Sequence, residues 1–203
     1  MHLCHSLSEA VWQCDSAKVQ QLLDQGADPN GAHNGETPLL PAARLGSAEC
    51  VGILLKAGAD ARWARSDGTT ALHAACWAGG GGTGSEEQER SDFSANHGQC
   101  IQLLLEAGAD IDAPLLRGVT PGVTPLHEAV ASKRPAIVLA LLAAGAAPDV
   151  ASSKCETPLH LACRCGRACD TVPALLAPAA LPNLGICPDS RFLHMSCRCR
   201  FAS

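Results

Sequence analysis

Apolar positions along this chain come in paired short runs, and each pair closes on a glycine. Leu39-Leu40 with Ala42-Ala43 is followed by Val51, Leu54 and Leu55, then Gly58. Leu126, Ala129 and Val130 are followed by Ile137, Val138 and Leu141, then Gly145. Spacings of three and four mark one face of a helix, so each pair predicts two short amphipathic helices. The first helix of a pair opens on a recurring phrase: Thr37-Pro38-Leu39-Leu40, Thr70-Ala71-Leu72-His73, Thr124-Pro125-Leu126-His127 and Thr157-Pro158-Leu159-His160. The second closes on Gly26-Ala27-Asp28, Gly58-Ala59-Asp60, Gly108-Ala109-Asp110 or Gly145-Ala146-Ala147. Thr37 to Thr70 and Thr124 to Thr157 are each 33 positions, and a fixed period of that length is the mark of a solenoid.

Each residue of the phrase has a local reason. The Thr is an N-cap whose hydroxyl accepts from the open amides of the first turn. Pro at the first helical position has its φ already set and no amide to leave unpaired. The closing Gly takes the left-handed turn that ends the second helix. Two such helices cannot bury an apolar face alone, whereas stacked pairs share one continuous core.

Thr to Gly is 21 positions in the regular units, and that ruler divides the chain. Residues 5–177 form five units: 5–36, 37–69, 70–123, 124–156 and 157–177. The first has lost its Thr-Pro and opens at His5. In the third, Thr70 to Gly108 is 38 positions, so 17 residues are inserted between its helices. The insertion, about 80–97, begins Gly80-Gly81-Gly82 and turns charged, a composition expected to form a loop. Before the fourth unit, Gly118-Val119-Thr120-Pro121 is repeated as Gly122-Val123-Thr124-Pro125, and either Thr could cap the helix. Residues 178–203 are a degenerate, truncated sixth unit: Leu193-His194-Met195-Ser196-Cys197 echoes Leu159-His160-Leu161-Ala162-Cys163. The expected fold is an all-α solenoid of five units and a broken sixth.

Composition narrows the function. Fifteen basic and 20 acidic residues give −5, and there are three Phe, three Trp and no Tyr. Neither a phosphate-binding charge nor a base-stacking surface is on offer, so nucleic acid is not an expected partner. No apolar run is long enough for a membrane span, and the N-terminus lacks the basic-then-apolar order of a signal peptide. A cytoplasmic protein is expected, with the nucleus as a second compartment. In that setting the 12 cysteines should be free thiols, several of them standing where a helix needs a small apolar residue.

The combined pattern, Gly-x-Thr-Pro-Leu-His-x-Ala followed by Gly-Ala-Asp, resembles the ankyrin repeat, from about Ala10 to Leu176. The resemblance implies antiparallel helix pairs joined by hairpin-like loops, in an array that binds a partner protein and has no chemistry of its own. It assigns His73, His127 and His160 to hydrogen bonds near the repeat junctions, with Leu40 in that place in the second unit. It puts partner contacts on the hairpin tips and first helices of the concave side. Seven positions after each Thr stand Arg44, Trp77, Ala131 and Arg164, and the tips carry Arg62, Trp63, Arg65 and Arg117. Trp and Arg dominate binding hot spots, so Arg44, Arg62, Trp63, Arg65, Trp77, Arg117 and Arg164 are the expected partner-binding residues. Asn30 resembles the asparagines that such repeats present to an asparaginyl hydroxylase. Insertions between paired helices resemble the ankyrin proteins that end in a SOCS box. By that likeness the chain would be a shortened form of a substrate-recruiting adaptor of a cullin-type ubiquitin ligase, with elongin B, elongin C and a cullin as further partners, although Leu193 to Arg200 reads as a repeat echo and not as a SOCS box. A monomer is expected.

Other motifs point less far. Gly79-Gly80-Gly81-Gly82-Thr83-Gly84-Ser85 lacks the Lys and the preceding strand of a phosphate loop. His160, Cys163, Cys165 and Cys169, echoed by His194, Cys197 and Cys199, are residue types that zinc accepts. The repeat already accounts for His160 and Cys163, so no metal or cofactor is assigned, and a zinc-stabilised structural protein is the third reading. No nucleophile–base pair or carboxylate pair stands outside the repeat, so no catalytic residue is expected and the chain reads as a non-enzyme.

Overall fold

The computed structural model describes residues 2–77, 87–116, 121–164 and 175. Among them are nine helices: α1 His2–Trp12, α2 Ser16–Asp24, α3 Leu39–Leu45, α4 Ala48–Lys56, α5 Ala71–Cys76, α6 Glu87–Glu106, α7 Pro125–Ala131, α8 Pro135–Ala143 and α9 Pro158–Arg164. The first helices α1, α3, α5, α7 and α9 pack side by side in one row, and α2, α4, α6 and α8 pack in a second. No strand occurs among the described residues; isolated bridges at His33/Glu36 and Ala64/Thr70 close two of the hairpin tips.

The core runs without a break along both rows. Leu54, Leu104 and Leu141 hold one register position in α4, α6 and α8, and Leu39, Leu72 and Leu126 hold another in α3, α5 and α7; all are fully buried. Cys50 and Cys100 share a third position with Ile137 and are equally buried. Burial pushes both thiols up, Cys100 to about 12, so they pack as small apolar side chains. Cys4, Cys14, Cys50, Cys76 and Cys100 are free thiols.

The Thr and His of the phrase form one unit. Thr70 Oγ1 lies 2.9 Å from His73 Nδ1, and the Thr70 amide donates to the same nitrogen at 3.4 Å. Nδ1 therefore accepts, which leaves the proton on Nε2. Nε2 then donates across the junction to the carbonyl of Val123 at 3.2 Å, the residue before the next capping Thr. The pattern recurs in the next unit, where His127 reaches the Glu156 carbonyl at 3.0 Å. In the fifth, Thr157 Oγ1 and His160 Nδ1 stand 2.8 Å apart. The same geometry resolves the duplicated Thr-Pro. Thr124 forms the capping box of α7, and Val123 receives His73.

The insertion differs from expectation. Residues 80–97 were expected as a loop, yet α6 is helical from Glu87 onward, 20 residues against nine for α2, α4 and α8. The sequence Glu87-Gln88-Glu89-Arg90 consists of good helix formers. Asp15 caps α2 by accepting from the Lys18 amide, whereas the matching position in α6 is His97, which lies inside the helix. His97 is buried, with Nε2 3.2 Å from the Arg44 carbonyl at the end of α3. Its ring fills the place a Cβ on Gly46 would take, where φ is +70°. The truncated sixth unit at 178–203 lies outside the described residues, as does Gly79.

Leu126→Ala should lower the unfolding free energy by about 2–5 kcal/mol in urea titration, because the side chain is fully enclosed. Burial also pushes His73 from 6.5 down to about 4, and lowers His127 in the same way. Both rings fold as neutral groups that the unfolded chain protonates more readily. The His73 contribution is complete above pH 6.5 and falls away between there and about 4, and that of His127 is lost in the same direction as the pH falls. His73→Gln should therefore be less stable than the parent at pH 7.5 but lose less stability between pH 7 and 4, as read by thermal melts.

Candidate protein-interaction surface

The position seven after the capping Thr lies at the end of each first helix. In α3 it is Arg44. In the third unit it is Trp77, which caps α5 and is 53% exposed. Counting seven from His5 reaches Trp12, the last residue of α1, 50% exposed. Because α3 packs between α1 and α5, this register places a guanidinium between two exposed indoles. Arg44 stands 5.8 Å over the Trp12 ring, within cation–π range. Trp12 was missed in the sequence because the first unit has lost its Thr-Pro; continuing the same count by one unit would have found it.

Arg44 is held from below. Its Nη2 donates to Glu36 Oε1 at 3.1 Å, and Arg65 Nη1 donates to the same oxygen at 3.1 Å. One carboxylate thus fixes a first-helix arginine and a tip arginine together. Arg65 also faces Asp67, with Nε 3.8 Å from Oδ2. Burial would raise the Asp67 carboxyl, but the Thr69 amide at 2.9 Å, the Thr69 hydroxyl and Arg65 together hold it below the usual range. The Arg44–Glu36 pair recurs in the fifth unit as Arg164 with Glu156.

The other expected residues have work inside the molecule. Trp63 is half-buried and packs on the core. Arg62 is exposed, yet its Nε donates to the Gly108 carbonyl at 2.8 Å, closing the end of the next unit's second helix. Asn30 stands at the same register, four after the closing Gly. Its Nδ2 donates to the Gly58 carbonyl at 3.0 Å, and its Oδ1 accepts from the Asp60 amide at 2.8 Å. Asp112 repeats the contact, accepting from the Ala147 amide at 3.0 Å. An amide, a guanidinium and a carboxylate therefore make one junction each. Arg117 lies outside the described residues, as do Cys165, Cys169, His194, Cys197 and Cys199. His160 and Cys163 lie in α9, with the His160 ring facing Thr157.

A family model described as ankyrin repeats (3 copies) matches residues 7–84 and 93–186. The chain is an ankyrin-repeat protein. It is 39% identical over 126 residues to ankyrin repeat and SOCS box protein 16 of Mus musculus, covering 62% of this chain and 25% of that protein. It is 33% identical over 157 residues to SH3 and multiple ankyrin repeat domains protein 1 of Homo sapiens, covering 75% of this chain and 6% of that one. It is 31% identical over 161 residues to the E3 ubiquitin-protein ligase KEG of Arabidopsis thaliana, covering 76% and 8%. The chain thus spans a quarter or less of these curated relatives. Ankyrin repeats are a protein-interaction module and, as a family, non-catalytic. Among the described residues no helix is long and apolar enough to cross a membrane.

Arg62→Ala should lower the unfolding free energy by about 0.5–1.5 kcal/mol in urea titration while leaving the helical content unchanged. No loss of stability would show that the Gly108 contact does not hold in solution.

Proposed function

We propose that this ankyrin array binds a partner protein through the ends of its first helices, with Trp12, Arg44 and Trp77 at the centre and Arg65 beside them. The observation that carries the reading is the register: three successive units present Trp, Arg and Trp at one position, and both indoles are half exposed. Large aromatic surface next to a guanidinium already fixed by Glu36 is costly to leave in water and loses little side-chain entropy when covered. Arg164, ion-paired to Glu156, carries the same surface to the fifth unit. Arg62 and Trp63 serve the packing of the hairpins, and Arg117 extends the tip row by sequence. Hydroxylation at Asn30 would require its bridge to Gly58 and Asp60 to open first.

A second reading is favoured by the similarity to a protein named for its SOCS box and to one named as a ubiquitin ligase. In it, the same surface selects a substrate for a cullin-type ligase, and elongins B and C bind elsewhere. No zinc is needed by either reading.

Affinity capture of residues 1–203 from cells, followed by mass spectrometry, separates the two. Elongins and a cullin in the captured set make the chain an adaptor; a stoichiometric partner without them leaves a scaffold. With that partner in hand, Trp12→Ala and Trp77→Ala should each weaken binding about tenfold or more while circular dichroism stays unchanged. Unaltered affinity in both variants would rule out this surface as the contact.

A further inference from the structure

We propose that His5 and His33 form a two-histidine site for a divalent transition metal of the imidazole-preferring class, stapling the first hairpin tip to α1. His5 Nδ1 and His33 Nε2 stand 3.2 Å apart, with ring centroids at 4.8 Å and planes crossing at 62°. Two nitrogens bound to one tetrahedral ion at about 2.0–2.1 Å lie about 3.3 Å from each other. The spacing needed for a bidentate clasp is therefore already present. Zinc, copper and nickel are the ions that imidazole pairs favour.

Both rings are carried on fixed frames. His5 sits within α1, which runs from His2 to Trp12. His33 closes a tight hairpin with Glu36, its amide donating to the Glu36 carbonyl at 2.9 Å and its carbonyl accepting at 3.1 Å. Asn34 and Gly35 turn the chain between them with φ of +54° and +76°, the left-handed pair of a type I′ turn. The hairpin stem is seated on α1 as well. A Cβ on Gly31 would come within 2.7 Å of Cys4 Sγ, so the two elements approach as closely as a glycine allows. His5 is exposed and His33 half-buried, so an ion reaches the pair from solvent.

Without metal, one ring donates its N–H to the other. Binding moves that proton to the donor ring's second nitrogen, so each facing nitrogen offers a lone pair and no charge is lost. Among the described residues no group of three or more metal-ligating side chains gathers, so the protein supplies two ligands and solvent the rest. That makes the clasp exchangeable, in contrast to a closed structural zinc site.

Titration of the 15N-labelled full chain with Ni2+ alone tests the site through paramagnetic broadening of amide signals. Broadening should begin together at His5 and along His33–Glu36. His5→Asn and His33→Asn should each shift its midpoint about tenfold or more, because two linked ligands act as one. Each variant changes a side chain at the surface, and its amide spectrum reports directly whether it is folded. Signals at His33–Glu36 that broaden at the same midpoint in His5→Asn would overturn the proposal, as would broadening confined to other histidines.

Discussion

The array depends on one buried hydrogen-bonded unit, the Thr–His box, because a single imidazole there serves two repeats at once. Its Nδ1 accepts within its own helix start, and its Nε2 donates to the carbonyl before the next cap. In the third and fourth units the N-terminus is completed locally, and the stacking distance to the next unit is set by the ring. The cost is a histidine that must stay neutral in an apolar setting, which is why burial lowers His73 to about 4. Leucine packing supplies most of the cohesion. The imidazole supplies the register, since an apolar contact alone would tolerate sliding and a 3.2 Å bond would not.

The same logic bears on where the proposed interaction surface sits. The hairpin tips are held by Glu36, Arg65, Asp67 and the bond from the Leu116 amide to the Asp67 carbonyl at 2.8 Å. The second helices are occupied with the core. At the far ends of the first helices the chain places Trp12, Arg44 and Trp77. Arg44 belongs to both worlds. Its side chain lies in the exposed row, while its backbone carbonyl faces the buried His97 of the long helix α6.

Legibility in the sequence followed locality. Thr, Pro, Leu, His and Gly each answer a need of their own turn, so Thr37-Pro38-Leu39 or Gly58-Ala59-Asp60 could be read without any tertiary knowledge. The insertion was harder, because the run Gly80-Gly81-Gly82 coloured the reading of the helix-forming residues that follow it. The helix runs through His97, at the position where Asp15 caps α2. Trp12 was hidden by the lost Thr-Pro of its unit. Of the expected surface residues, Arg44 and Arg65 meet on Glu36 and Trp77 is exposed at the end of α5, whereas Arg62 and Trp63 are taken up by hairpin packing. The junction formed by Asn30, Arg62 and Asp112 could not be read at all. Those residues share a position and a role but no chemistry, so no repeated letter betrays them.

That junction has a consequence for how such an array can drift. The turns after α4, α6 and α8 offer the preceding hairpin a carbonyl, as at Gly58 and Gly108, or an amide, as at Asp60 and Ala147. A neighbouring side chain needs only one of the two. An acid, a base or an amide therefore fits the same socket, and replacing one with another alters the local charge by up to two units while the seam stays closed. The electrostatic character of this edge is thus free to be tuned, repeat by repeat, independently of the stacking beneath it.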